Sequence, residues 1–438
     1  MNRRWPGEAI LRLGGAVGLA LTFLLLTISP TGALPPVQGE ETGDASFGEL
    51  TATPNFPATI DFRLTASSSE EIVRAELLFA PQWEETINLI EATMTPGGQL
   101  DLTFPLDMYQ NYYPPGLDIN YRWRLTDAAG RTSLSEERTV LWADTRFAWT
   151  QIATEQVSVY FYTGNEAFNR QILDSAQRTI DNLQTQFGVE RSRPIRIWVY
   201  NSAEEFSGSL EPNSEPWIAG AAYPGRYLIQ AVIPDGNQNE IARVIPHEVC
   251  HQVLFQATDN PFNLPATWLN EGLAVFYQES DKEGYGVILE GAIREGGLMP
   301  LTSLTAAFPF DDTYRLAYAE SLSAVQFILD TWGDEAIAEI FAAYQEGISH
   351  DEALRRGVGL TTAELDARWK ESLGYAGDQP LDDGTGGSLT AGGSGDGDDW
   401  LRLSGAAAAG LVVVIAGGAV GVSRRRRRPP ESIKLLAA

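Results

Sequence analysis

Two histidines and a glutamate form the part of this sequence that is best suited to chemistry. His247, Glu248 and His251 lie in the string HEVCH, and histidines four residues apart share one face of a helix. Both imidazoles can therefore reach one metal ion, while the carboxylate of Glu248 projects to the side of that ion. The chain has 3 histidines in all, so finding two of them at this spacing makes a chance occurrence less attractive.

A third ligand is expected close to the histidine pair. Zinc in a hydrolytic site usually has three protein ligands and one position left for water. The stretch WLNEGLA, which contains Glu271, begins a second helical pattern. Nineteen residues separate Glu271 from His251. Residues 261–265, PFNLP, form a loop between the two helices. If the helices run antiparallel, Glu271 returns to the histidines and completes the ligand set.

The combination of these two motifs resembles that of the gluzincin peptidases, the group that includes thermolysin and the aminopeptidase N-like enzymes. HEVCH followed at this distance by WLNEGLA carries the resemblance, which covers roughly residues 157–373. It implies one Zn²⁺ ion bound by His247, His251 and Glu271, with Glu248 as general base and proton shuttle. It also implies that the substrate is a peptide or protein, hydrolysed by a zinc-activated water.

A hydrogen-bond donor for the oxyanion is expected beside the metal. Tyr318, in the stretch YAESLSAV, resembles the downstream tyrosine that has this role in aminopeptidase N-like enzymes. Tyr314 and Tyr277 remain alternatives, and if Tyr318 does not have this role it is simply a packed helix aromatic.

One departure from the aminopeptidase N-like pattern concerns specificity. Those enzymes have an upstream Gly-Ala-Met-Glu-Asn strand, whose glutamate holds the free amine of the substrate. The comparable residues 220–226, GAAYPGR, contain no glutamate, which favours an endopeptidase without excluding an exopeptidase. The strand expected at residues 227–233 could still pair with an extended peptide by edge addition.

Three further residues have simpler interpretations. Cys250 is the only cysteine, so no intramolecular disulfide is possible, and its side chain is expected to pack away from the ligands. His350 is interpreted as a surface residue at the start of a helix over residues 351–356. Pro246 predicts a kink or a nearby break in the helix that carries the histidines.

The elements that must position these residues fall into two parts. Over residues 47–145, apolar and polar side chains alternate in short stretches separated by turns, as in residues 60–65, 73–79 and 119–125. This pattern predicts an all-β sandwich, similar in architecture to immunoglobulin or fibronectin modules. Such a module could bind a partner, or simply present and space the next domain, and the second role is favoured.

Residues 149–375 show a different pattern, in which strands are followed by helices. Strands are predicted near residues 157–161, 195–199 and 227–233, and an amphipathic helix is predicted over residues 168–187. The remainder is mainly helical, so the sequence predicts an α+β domain of the gluzincin type.

The two ends of the chain predict export and membrane anchoring. Residues 1–33 have the basic start, apolar run and small residues of a signal peptide, with an uncleaved anchor as the alternative. Residues 400–423 include a run of twenty uncharged residues, long enough for a single transmembrane helix. The tail, residues 424–438, begins with five arginines, which favours the cytoplasmic side. Residues 34–46 and 376–399 are predicted to be linkers.

The net charge of the chain indicates which classes of binding partner are disfavoured. The chain has 31 basic and 58 acidic side chains and a net charge of −27. An acidic surface repels phosphate backbones, so nucleic acid is not expected as a partner, and the oligomeric state is left open.

Taken together, the motifs and the two ends of the chain predict a single-pass cell-membrane zinc metallopeptidase with its catalytic body extracytoplasmic. The alternative is a surface binding or adhesion protein with a vestigial or structural zinc site.

Overall fold

The structure is a computed structural model that describes residues 43–84, 86–189, 193–210, 220–309 and 311–375. The predicted signal peptide, transmembrane helix, cytoplasmic tail and second linker lie outside these residues, as does most of the first linker. Within the described ranges, no helix has both the length and the apolar character needed to cross a membrane.

The N-terminal region is rich in β-strands, as predicted. Its strands, in the described part of the chain, are β1 Ser46–Asn55, β2 Thr59–Pro81, β3 Asn88–Ala92, β4 Gly97–Asp107, β5 Leu117–Asp127, β6 Thr132–Leu134 and β7 Arg138–Trp142. They form one antiparallel sheet, in which β2 is 23 residues long and spans two stretches that the sequence pattern suggested as separate strands. The register of β2 shifts between Ser67 and Ile72, where polar residues interrupt the apolar pattern.

The two halves of β2 belong to opposite sides of one core. The first half pairs with β1 and β4, and the second half pairs with β3 and β5. Phe62, in the first half, packs edge-on against Tyr121 of β5, with ring centroids 4.8 Å apart. Phe104 of β4 meets Trp123 of β5 in the same way at 6.3 Å. The core therefore lies between two layers that are parts of the same sheet.

The second region contains strands followed by helices, as predicted. The strands β8 to β12 are Thr150–Ala153, Val157–Phe161, Ile195–Tyr200, Gly220–Tyr223 and Leu228–Val232, and their order in the sheet is β11-β12-β10-β9-β8. The helices α1 to α9 are Glu166–Phe187, Ala203–Ser207, Gln238–Thr258, Thr267–Tyr277, Glu283–Glu295, Tyr314–Trp332, Asp334–Gln345, His350–Val358 and Thr362–Ser372. Short 3₁₀ turns cover Pro224–Arg226 and Leu301–Leu304.

The strand predicted at residues 227–233 is not available for peptide pairing, so that prediction is wrong. The corresponding strand, β12, is hydrogen-bonded on both sides. Ile229 lies opposite Ala222 of β11 on one side and opposite Ile197 of β10 on the other. Among the described residues β11 pairs with β12 alone, so β11 is the edge strand. The tight turn at Pro224–Arg226 folds β11 back onto β12 and thereby covers it.

The five-stranded sheet is covered on both faces. Alternate side chains such as Ile197 and Ile229 join a core formed with α1 and α3. On the other face Trp198 and Leu228 pack against Leu117, the first residue of β5. The buried amide of Gln230 also donates a hydrogen bond to the carbonyl of residue 115, at 2.8 Å. The β-rich region therefore does more than space the next domain, because it buries one face of that domain's sheet.

Candidate metal centre

The three predicted metal ligands lie together in one buried group. His247 Nε2 and His251 Nε2 are 3.5 Å and 3.7 Å from Glu271 Oε2, and one ligand atom from each residue lies within 4.8 Å of the others. Zinc bonds of about 2 Å in tetrahedral geometry place ligand atoms roughly 3.3 Å apart, so the spacing suits one ion. All three atoms are buried and have no hydrogen-bond partner among the described residues. The donors therefore fit a metal.

Two helices bring these ligands together. α3 begins where the Asn237 side chain accepts a hydrogen bond from the backbone N–H of Glu240, and it continues through Pro246 without a break. α4 follows the loop, and the backbone N–H of Ala266 donates to the hydroxyl of Tyr344 at 3.1 Å. The start of α4 lies near His251 and the residues after its end lie near the start of α3, so the two helices are antiparallel, as predicted.

Burial also keeps the two histidines in the form that binds metals. It lowers the pKa of His247 to about 3, with a smaller contribution from the charge of Arg243. It lowers the pKa of His251 to about 4 as well. Both imidazoles are therefore neutral at pH 7, which is the state a metal ligand requires.

Glu248 lies beside this group with both carboxylate oxygens buried. Neither oxygen has a hydrogen-bond partner in the described part of the chain. Burial and then the nearby charge of Glu271 raise the pKa of Glu248 to about 8. A Cβ atom at Gly220 would fall 2.7 Å from Glu248 Oε1, so a side chain at this position would displace the carboxylate. Glu248 therefore lies between the ligand group and the edge strand β11.

Each histidine has an amide partner that the sequence prediction missed. His251 Nδ1 lies 3.1 Å from Asn270 Oδ1, and His247 Nδ1 lies 2.8 Å from the side-chain nitrogen of Gln278. Asn270 directly precedes Glu271 and could have been inferred from that position. Nothing in the local sequence indicates Gln278, which follows the last residue of α4.

Tyr318 also reaches the group. Its hydroxyl hydrogen-bonds the Glu271 carboxylate, and its ring centroid lies 6.4 Å from that of His247. Burial raises the pKa of Tyr318 well above its usual value, so the hydroxyl keeps its proton. Of the two alternatives, Tyr277 donates its hydroxyl to Gln186 at 2.6 Å, and Tyr314 lies one turn before Tyr318 on α6.

Close packing of α4 and α6 makes this contact possible. A Cβ atom at Gly272, next to Glu271, would lie 2.4 Å from the backbone oxygen of Ser321. The two helix backbones therefore approach closely at Gly272, and Tyr318, one turn before Ser321, comes over Glu271.

Among the described residues, the ligand group does not include the two remaining residues singled out from the sequence. Cys250 is fully buried in the apolar core, consistent with its interpretation as a packed side chain. His350 was interpreted as a surface residue, and that interpretation is wrong. Its ring stacks on Tyr344 and meets Trp268 edge-on, and burial lowers its pKa to about 4. These ring contacts with Tyr344 and Trp268 depend on how neighbouring helices pack, which the local sequence does not reveal.

Comparison with known proteins supports a peptidase. Residues 175–375 match the family model of the Peptidase MA superfamily, which covers just under half of the chain. This match supports a gluzincin-like peptidase for the helical region. A comparison with curated proteins found no match.

Solved structures with some similarity include zinc peptidases. An M1 zinc metallopeptidase from Deinococcus radiodurans is 14% identical, with 78% of this chain and 96% of that chain covered and a TM-score of 0.35. Wild-type OgpA from Akkermansia muciniphila is 9% identical, with 26% and 31% covered and a TM-score of 0.20. This chain thus spans about a third of the OgpA chain. Such TM-scores do not establish a common fold, so the family model carries the comparison.

Proposed function

We propose that this chain is a zinc metallopeptidase that hydrolyses peptide bonds in peptides or proteins. The observation that carries the proposal is the buried group of His247, His251 and Glu271, with the unpartnered carboxylate of Glu248 beside it. The match of residues 175–375 to the Peptidase MA superfamily supports the same reaction class.

The donor set favours zinc over harder cations. Two neutral imidazoles and one carboxylate are typical zinc ligands, whereas Mg²⁺ and Ca²⁺ prefer oxygen ligands. A zinc ion held by this group would polarise the scissile carbonyl and make a water molecule acidic enough to ionise near pH 7.

Glu248 is the group suited to move the proton. It would accept a proton from the attacking water and donate it to the leaving amine. A base must be ionised, and the pKa of about 8 arises from burial and from the Glu271 charge. A dication beside the carboxylate would lower this pKa, because a positive charge favours the ionised form.

Tyr318 is the group suited to stabilise the oxyanion. Its hydroxyl keeps its proton and lies at the ligand group, where it bonds the Glu271 carboxylate. Rotation of the hydroxyl from this carboxylate toward a substrate oxygen would supply a hydrogen bond where charge develops.

The edge strand β11 offers a way to orient an extended substrate. Gly220, its first residue, touches the Glu248 carboxylate, so a peptide paired with this edge would pass the proton-transfer group. Residues 220–226 contain no acidic side chain that could hold a free amine. Both points support an endopeptidase.

The location is proposed from sequence segments outside the described residues. A signal peptide over residues 1–33 and a transmembrane helix over residues 400–423 would leave the peptidase body outside the cell membrane. The linker, residues 376–399, is rich in glycine and aspartate and would act as a flexible tether.

The test uses purified protein and its Glu248→Gln variant. We expect one zinc per chain by elemental analysis and chelator-sensitive cleavage of a quenched fluorescent peptide library. Glu248→Gln should keep the zinc and lose about 10²–10⁴-fold in kcat/KM, the usual contribution of a general base. Activity of the variant within threefold of the parent would contradict the mechanism. Full zinc content without cleavage of any peptide would favour the binding-protein alternative.

A further inference from the structure

We propose that Gln278 is a positioning residue that orients His247 toward the metal, and that Pro246 creates the contact that holds Gln278 in place. This proposal rests on the proposed zinc site, and it concerns residues that lie next to the ligands without binding the metal.

Gln278 is buried in contact with His247. It directly follows α4 and is 4% exposed, and its side-chain nitrogen lies 2.8 Å from His247 Nδ1. Its side-chain oxygen is buried and has no hydrogen-bond partner among the described residues. A buried amide oxygen without a partner is costly, so the amide is expected to change its hydrogen bonding in another state of the site.

Metal binding supplies that change. A metal ion on His247 Nε2 leaves the proton on Nδ1, which then acts as a hydrogen-bond donor. The amide nitrogen of Gln278 is also a donor, so the two groups would no longer match. A half-turn of the amide places its oxygen against Nδ1, where it accepts the proton and gains its missing partner.

Pro246 explains why the segment after α4 stays against α3. Proline has no backbone N–H, so the carbonyl of Ala242, four residues earlier, loses its usual partner within the helix. The backbone N–H of Glu279 donates to that carbonyl instead, at 2.8 Å. Glu279 directly follows Gln278, so this hydrogen bond holds Gln278 against α3. Pro246 directly precedes His247, so the same attachment lies beside the histidine that Gln278 contacts.

A second contact supports the same attachment. The hydroxyl of Ser280 donates to the carbonyl of Asn239 at 3.2 Å, and the amide of Asn239 donates to Asp281 at 3.3 Å. The chain after Gln278 therefore runs along the first turns of α3. This attachment keeps the Gln278 amide within reach of His247.

The first experiment measures zinc affinity of the full-length protein by competition with a chromophoric chelator. Loss of an outer hydrogen-bond partner typically weakens metal binding about 10–100-fold, and we expect this for Gln278→Ala. Gln278→Glu retains an acceptor of the same reach and should bind zinc within about threefold of the parent or more tightly. Gln186→Ala is the matched control, since Gln186 contacts Tyr277 and Asp334 but not His247, and its affinity should be unchanged.

A spectroscopic readout separates positioning from loss of folding. Zn²⁺ has a filled d shell, whereas Co²⁺ in the same site has visible bands that report ligand geometry. Gln278→Ala should shift these bands and Gln278→Glu should restore them, while the metal-free variants should melt within a few degrees of the parent. An affinity within twofold of the parent and an unchanged cobalt spectrum for Gln278→Ala would overturn the role of Gln278.

Pro246→Ala tests the second half of the proposal. Alanine restores an N–H group inside α3, which competes with Glu279 for the carbonyl of Ala242. We expect a several-fold weaker zinc affinity together with a more stable metal-free protein, a combination that simple damage to the fold does not produce. Equal or tighter zinc binding would show that the proline has no part in holding Gln278.

These results are independent of turnover. If the parent protein binds zinc but cleaves no peptide, the proposed function is wrong, and the zinc affinities of the variants still decide whether Gln278 positions His247. If the parent cleaves peptides and Gln278→Ala has the zinc affinity of the parent, only the positioning role of Gln278 is wrong. A parent that binds no zinc overturns both.

Discussion

At the scale of single residues, Glu248 has an unusual environment for a carboxyl group. It is buried without a hydrogen-bond partner among the described residues, next to the charge of Glu271. Its pKa of about 8 in the fold lies well above the ordinary value near 4.5. In the metal-free protein the folded state therefore disfavours the ionised form of Glu248, and a bound cation would reduce this cost.

The sign of the resulting pH dependence follows from linkage. Between about pH 4.5 and pH 8 the unfolded chain releases the Glu248 proton while the folded chain keeps it, so stability falls as pH rises. Glutamine cannot ionise, so Glu248→Gln should raise the melting temperature of the metal-free protein, and by more at pH 8 than at pH 5. Calorimetry in the presence of a chelator measures this difference. A larger gain at pH 5 than at pH 8 would contradict the assignment, and added zinc should reduce the gain at pH 8.

The grouping of His247, His251 and Glu271 could be predicted from the sequence because all three lie in recognisable motifs. Two histidines at i and i+4 share a helix face whatever the rest of the chain does, and Glu271 follows in a recognisable motif. Gln278 could not be predicted, because its contact with His247 depends on how two helices pack. The aromatic surroundings of His350 were missed for the same reason, since Trp268 and Tyr344 lie far from it along the chain or on another helix.

At the scale of helices and strands, the close approach of α4 and α6 is the feature on which Tyr318 depends. A Cβ atom at Gly272 would lie 2.4 Å from the backbone oxygen of Ser321 and 2.8 Å from the side chain of Val325. Because backbone atoms cannot move aside as a flexible side chain can, a larger residue at this position must separate the two helices.

Gly272→Ala should therefore destabilise the protein by about 1–3 kcal/mol, as overpacking usually does. The same substitution should lower kcat by a larger factor than it raises KM, because Tyr318 would move away from the substrate oxygen on which charge develops. The matched control is Gly291→Ala on α5, where a Cβ atom meets nothing within 4 Å. This control should be neutral or gain up to about 1 kcal/mol from helix propensity. Chemical denaturation of both variants measures the contrast, and equal stabilities would refute the close-packing argument.

Strand pairing was only partly predictable from the sequence. Alternation indicated the strands near residues 195–199 and 227–233, but it did not show that β11 would fold back onto β12. It likewise divided β2 into two strands, because the polar residues at the register shift resemble a turn. Alternation reports which side chains are buried, whereas the order of strands and the course of a bent strand depend on contacts across the sheet.

At the scale of the whole molecule, the β-rich region and the peptidase region share a buried contact. Gly116 has φ of +115°, and a Cβ atom there would lie 2.5 Å from the indole nitrogen of Trp198. Across the same contact, Arg226 donates a hydrogen bond to the Glu84 carboxylate at 2.9 Å, and Arg196 forms a salt bridge with Asp118. The sequence analysis favoured a spacer role for the β-rich region, because the pattern along single strands does not show which of their faces packs against another region.

Separating the two regions should consequently impair the peptidase region. A fragment of residues 149–375 would expose the large apolar side chains of Trp198, Tyr200 and Leu228, which are fully buried in the two-domain protein. Large exposed apolar patches promote aggregation, so we expect this fragment to be insoluble or to bind a hydrophobic dye strongly. Residues 43–375 serve as the matched control and should be soluble and melt in one transition that includes both regions. A monomeric 149–375 fragment with the melting temperature and zinc affinity of that control would show that the contact is dispensable, and the β-rich region would then be a separable module.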